Sequence, residues 1–305
     1  MARWSCWARL AAILISVLAA TSLLPADTPE TALATATLID PTGKEISLTG
    51  VKILTGGRRL AWLADPKAGA TPEARKGPLA LEVREPNSTT FQKGVVTLIP
   101  TASVETIRYE YDKQIMTVLV KGATEPILGT LQFRGINTVG LEGAVGGVVG
   151  KFAGGSPKEG FKAVKFPAAR PLPPPPSGGI AWEIQIDQPK AGNPTLTVRN
   201  LKALYVFPGG LEILVDSLPV RKGDTLPLDT KLKKLEVLAV DTNTHMAAVE
   251  VTSEGGPDRL IVLQLTREQA GRTGTLVGLV GEVAVGWKLF PLHTIKTIAP
   301  AIGKP

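Results

Sequence analysis

The sequence predicts an all-β protein of two tandem, internally related lobes, each a β-barrel or β-sandwich, joined by a proline-rich linker. Three observations carry that expectation. Short alternating apolar runs broken by Gly, Pro, Asn or Asp recur along the chain, and sustained 3.6-residue apolar spacing is almost missing. One segment in each half shares a pattern of apolar spacings, and a run of prolines lies between the halves.

Residues 1–26 read as a secretory signal peptide. Arg3 and Arg9 precede an uncharged apolar run from Leu10 to Leu24, and small residues follow before Asp27. The run is shorter than the ~20 residues that span a bilayer, which favours removal; an uncleaved segment would instead hold the chain at a membrane. Cys6 precedes the apolar run, whereas a lipidated cysteine would follow it. The chain is therefore expected to be exported, to the periplasm, the cell envelope or the extracellular space.

Beyond the signal, β domains are expected at 27–166 and 180–305, with the linker at 167–179. In PAARPLPPPPSGG consecutive prolines enforce extended polyproline II, and Ser177-Gly178-Gly179 restores flexibility. Within the domains, IRYEY places Ile107, Tyr109 and Tyr111 on one face and Arg108 and Glu110 on the other. VKIL from Val51, LEILV from Leu211, MAAVEV from Met246 and RLIVLQL from Arg259 are further strands. One helical turn is expected at Thr266, where TREQ has the Thr-x-x-Gln form of a capping box before Gly271 stops it.

KLKKLEVLAV, from Lys231, is ambiguous by period alone. The internal similarity makes it a strand, since Val104, Ile107, Tyr109, Tyr111, Asp112 and Met116 meet Leu232, Leu235, Val237, Ala239, Asp241 and Met246 with small shifts. Downstream, GTLQFRGI from Gly129 parallels GTLVGLVGEV from Gly274. A shorter signature occurs three times, in IPTASVETI (Pro100, Val104, Ile107), LPLDTKLKKL (Pro227, Leu232, Leu235) and FPLHTIKTI (Pro291, Ile295, Ile298). Proline ends a ladder and fixes φ, and the residues after it fit a 3₁₀ turn. Strand, 3₁₀ turn, strand resembles the closing corner of SH3-like small barrels.

Composition removes much chemistry. The chain of 305 residues has one Cys, two His and five Trp. Cys6 leaves with the signal, so no thiol nucleophile, disulfide or cysteine metal site is expected, and His245 and His293 alone make no multi-histidine site. Loss of Arg3 and Arg9 lowers the charge from +7 to +5 and leaves it diffuse, which argues against a nucleic-acid partner.

The remaining motifs fall short of their chemistry. GLEGAVGGVVGKFAGG, Gly140 to Gly155, lacks a phosphate loop's Gly-Lys-Ser/Thr ending because Phe152 follows Lys151; a glycine-rich β segment or loop is the reading. DTNTH, Asp241 to His245, begins like a calcium loop, but Met246 and Thr252 occupy the positions that need Gly and Glu, so a β-turn is expected. Ser217 beside Asp216 has no nucleophile elbow around it. Glu105, Glu110, Glu212 and Glu236 fall on the exposed side of strands, and Trp62, Trp182 and Trp287 read as core anchors. Asn87-Ser88-Thr89 is a glycosylation sequon.

No catalytic, cofactor-binding or metal-ligating residue is therefore assigned. The reading favours a non-catalytic structural or binding protein that meets a protein or an envelope polymer through exposed β surface. The alternative is a secreted hydrolase that gathers Asp216, Asp224, Asp229 and Asp241, with His245, around a carboxylate or loop-bound cation site and raises their carboxyl pKa values.

Overall fold

The computed structural model describes residues 33–64, 77–85, 94–131, 137–154, 160–172, 178–188, 192–221 and 223–301. The expected signal peptide, the sequon and the proline-rich centre of the linker, 173–177, lie outside the described residues.

Apolar alternation makes strands throughout, with no α-helix among the described residues. The first half contributes β1 (Leu33–Ile39), β2 (Glu45–Thr55), β3 (Gly57–Arg59), β4 (Leu79–Arg84), β5 (Val96–Pro100) and β6 (Val104–Glu110). It continues with β7 (Ile115–Val120), β8 (Ile127–Thr130), β9 (Gly140–Val145), β10 (Val148–Ala153) and β11 (Ala163–Lys165). The second half begins with β12 (Ala181–Ile186), β13 (Thr195–Phe207), β14 (Leu211–Val215), β15 (Ser217–Pro219), β16 (Thr225–Pro227) and β17 (Leu232–Asp241). It ends with β18 (Met246–Ser253), β19 (Arg259–Gln264), β20 (Thr266–Gln269), β21 (Arg272–Val283), β22 (Gly286–Phe290) and β23 (Ile295–Pro300).

The strands form two large antiparallel sheets. The first runs β10-β9-β2-β1-β11-β6-β7-β8 and the second β19-β18-β17-β23-β12-β13-β21-β22-β5-β4-β3; β14 adds to β13, β20 adds to β21, and β15 pairs with β16 apart. Neither path returns on itself, so the expected barrel closure does not form. The outward edge of β5 is instead taken by β22, with Val96, Thr97 and Leu98 opposite Leu289, Lys288 and Trp287. The first-half strands β3, β4 and β5 thereby enter the sheet of the second.

Strand order matches between the halves. Read as β22-β21-β13-β12-β23-β17-β18-β19, part of the second sheet follows the first sheet in chain order as well as in space. Registers agree too. The β2–β9 ladder breaks between Thr49 and Lys52, and the β13–β21 ladder breaks between Arg199 and Lys202. Inside these bulges Gly50 and Asn200 both take positive φ, 60° and 51°. The β6–β7 and β17–β18 ladders likewise shift at Val104/Thr106 and Leu232/Lys234. Counting from the hairpin turns, Gly140, Leu141 and Gly143 stand where Gly278, Leu279 and Gly281 stand, which corrects the expected match of Gly129 with Gly274. A Cβ at Gly281 would collide with Val198 at 2.5 Å, and one at Gly143 would crowd Leu48 at 3.2 Å.

Two buried clusters fill the halves. One contains Leu38, Leu48, Ile107, Tyr109 and Val164, the other Trp182, Ile184, Tyr205, Leu235 and Phe290. A third, with Leu60, Leu98, Leu204, Val280 and Leu289, lies where the halves meet. The β4–β5 hairpin serves two of them through its pleat: Leu81, Val83 and Ile99 face the first core, and Ala80, Val96 and Leu98 face the junction.

Local expectations fared differently according to tertiary contacts. KLKKLEVLAV forms β17, and the glycine-rich stretch forms the β9–β10 hairpin with Gly146 and Gly147 at positive φ in its turn. TREQ is no helical turn: Thr266–Gln269 is β20, paired with β21 around Ala270 and Gly271, whose φ values of 49° and 71° set a tight hairpin. Single 3₁₀ turns follow Pro100 and Pro291, at Thr101–Ser103 and Leu292–Thr294. After Pro227 an additional residue precedes the next strand, and Asp229 closes that turn by accepting from Lys231 N at 2.9 Å.

Candidate functional site

The most chemically loaded place lies between the halves. From the first half, β3 delivers Arg58 and the 3₁₀ turn Ala61–Leu63 delivers Trp62. From the second, β14 delivers Glu212, β13 Asn200 and Lys202, β21 Glu282 and β22 Trp287. These residues, Arg58 excepted, line a cleft of about 510 Å³.

Arg58 organises one wall. Its guanidinium donates to Glu212 Oε1, lies 3.8 Å from Glu82 and sits 5.5 Å from the centre of the Trp62 ring. Glu212 is 10% exposed on its side chain. The pair engages Oε1, but Oε2 is buried with no partner, and Trp62 Nε1 is likewise buried and unpaired. Each such atom is destabilising until something supplies its missing bond. On the same cleft, Asn200 Nδ2 donates to Glu282 Oε2 at 2.8 Å and Lys202 pairs with the exposed Asp216 at 3.2 Å. Among the described residues the cleft thus gathers two indoles, and two of its residues, Trp62 and Glu212, each keep a buried polar atom with no protein partner.

One sequence expectation is refined here and another changes. Trp182 is a core residue at 1% exposure, and Trp62 and Trp287 pack half-buried against the junction core while also lining the cleft. Glu105 is exposed, Glu110 binds Lys113 at 2.6 Å and Glu236 binds Lys234 at 2.6 Å, whereas Glu212 is turned inward to the junction. Alternation did not reveal this, because β14 is covered on both sides, by its own half and by the Ala61–Leu63 turn. The Arg58-Arg59 pair just before Trp62 was the one local sign of a cation beside an indole.

The residues of the hydrolase alternative do not converge. Asp216 and Asp224 are exposed, and Asp229 serves its turn. Asp241 closes the β17–β18 turn, accepting from Thr244 Oγ1 at 2.7 Å and from Asn243 N at 2.9 Å. The Thr244 hydroxyl and these amides hold its carboxyl below the ordinary range, opposite to the direction that reading requires. His245 ends the same turn at φ 52°, and His293 lies in the turn after Pro291. Among the described residues no three His, Cys, Asp or Glu gather to hold a metal ion.

A second junction cluster is structural. Lys288 donates to Glu85 Oε1, which also accepts from Thr97 Oγ1 at 2.9 Å, and the three tie β22 to the β4–β5 hairpin. Compared with known protein families, curated proteins and solved structures, the chain matches none of them.

Proposed function

We propose that this is an exported, non-catalytic binding protein of the cell envelope or extracellular space, whose ligand site is the cleft beside Trp62. The observation that carries the reading is the pair of unsatisfied buried atoms there, Trp62 Nε1 and Glu212 Oε2, in a cleft walled by both halves. A hydroxyl-rich envelope polymer answers this chemistry. Its hydroxyls accept from the indole N–H and donate to the carboxylate, while the indole faces cover apolar ring surface.

The same reading takes 27–166 and 180–305 as two related units joined by the proline-rich stretch 167–179. The matched strand order and the matched bulges at Gly50 and Asn200 support it. Export rests on the arginine-flanked apolar run at residues 10–24.

Co-sedimentation with purified cell-wall sacculi tests the reading. The chain is expected in the pellet, with Trp62→Ala and Glu212→Gln each lowering apparent affinity about tenfold, the equivalent of ~1.4 kcal/mol. Failure to sediment, or sedimentation indifferent to both substitutions, would overturn it.

A further inference from the structure

The β22–β5 junction uses one edge from each half, and each half keeps an unused edge of the opposite kind. In the matched strand order β10 stands where β22 stands. The β15–β16 hairpin stands where β4–β5 stands, since each leads through a proline turn into β17 or β6.

Hydrogen-bond alternation shows which backbone groups those edges present. Glu85 N donates to Val95 O at 3.2 Å, so Val95, Thr97 and Ile99 turn toward β4 while Val96 and Leu98 turn toward β22. In β16 the ladder is bracketed by Val220 N to Asp224 O and Leu228 N to Asp216 O, both 2.8 Å, so the N–H and C=O of Thr225 turn outward. In β10, Gly154 N donates to Val139 O at 2.8 Å, so Val149 and Lys151 turn outward. They hold the places of Trp287 and Leu289, the β22 residues that face Leu98 and Val96. Among the described residues no named strand pairs with the outer side of β10 or β16, and only the Ala153 end of β10 is met there, by Phe161 N donating to Ala153 O at 3.1 Å.

The side chains agree. On the β10 side Leu54, Val145, Val148 and Val149 are 46%, 39%, 74% and 67% exposed. Leu204, in the place of Leu54, is 0% exposed because the junction covers it. Laid down in the register of the existing junction, Val149 would face Thr225 and Gly150 would face Asp224. Lys151 would then face Gly223, on the other side of the pleat from Asp224.

We infer that copies of this chain join head to tail, β10 of one copy pairing antiparallel with β16 of the next in the register of the β22–β5 junction. The two strands are inequivalent, so the contact is heterologous, and it closes into a ring or continues as a fibre. This assembly is independent of what the cleft binds.

Analytical ultracentrifugation of the purified chain reads it directly, with mass expected to rise with concentration. Val149→Pro and Thr225→Pro each delete one outward N–H, a change that an edge strand tolerates. Each variant alone is expected to be monomeric. An equimolar mixture is expected to form a one-to-one complex, because each retains the edge that the other lacks. Circular dichroism verifies the fold, and Val149→Asp and Thr225→Asp replace any proline variant that fails to fold. A monomeric wild type overturns the inference, as does a mixture that stays monomeric. Self-association of either variant alone overturns it too, since that would require like edges to pair.

Discussion

Leu204 and Leu54 hold the same place in matched ladders and meet opposite surroundings: Leu204 is sealed between the halves at 0% exposure, and Leu54 is 46% exposed. Truncation should separate them. Leu204→Ala is expected to lower unfolding stability by about 2–4 kcal/mol through lost burial and a residual cavity. Leu54→Ala should stay within about 0.5 kcal/mol under conditions where the chain is monomeric. Urea titrations of the two variants check this, and equal losses would deny the asymmetry of the two faces.

Two buried tyrosines should respond differently to loss of their hydroxyls. Tyr109 Oη accepts from Val139 N at 3.0 Å, so Tyr109→Phe leaves a buried amide unpaired and is expected to be about 1–3 kcal/mol destabilising. Tyr205 Oη is buried without a partner, so Tyr205→Phe should be neutral or stabilising. Thermal unfolding of both variants decides.

The same phenols set an alkaline limit. Burial holds both hydroxyls above the ordinary tyrosine range. The folded chain then binds these protons more tightly than the unfolded chain, so the contribution is complete below about pH 10 and is lost as pH rises above it. Stability measured from pH 8 to 12 should fall at the alkaline end, and less steeply in Tyr205→Phe.

Cutting the linker should not release two free fragments. A protease site inserted between Ser177 and Gly178 would give pieces that co-elute, because the β5–β22 ladder and the Leu98–Leu204–Leu289 cluster cross the cut. Adding Glu85→Ala, which strips Lys288 and Thr97 of their shared carboxylate, should weaken that association by about 1–3 kcal/mol. Gel filtration of the cleaved material under native conditions tests both statements.

Much of the strand content was legible locally, since β6, β14, β18 and β19 follow from alternation and turn residues with period two, whereas β17 followed from its likeness to a segment of the first half. The proline corners were legible wherever three residues separate proline from the next strand, as after Pro100 and Pro291. The site was not. Trp62, Glu212 and Trp287 carry the same local signals as core or solvent-facing strand residues, and only the meeting of β3, β14 and β22 brings them to one cleft.

By itself the sequence determined a β protein, with a turn at Asp241–His245, because side-chain alternation and turn-forming residues are properties of neighbours in the chain. Tertiary structure alone decided which edges pair. Backbone N–H and C=O groups at a strand edge are the same whatever the residue, so the capture of β5 by β22 came from the apolar faces that the packed halves could bury together.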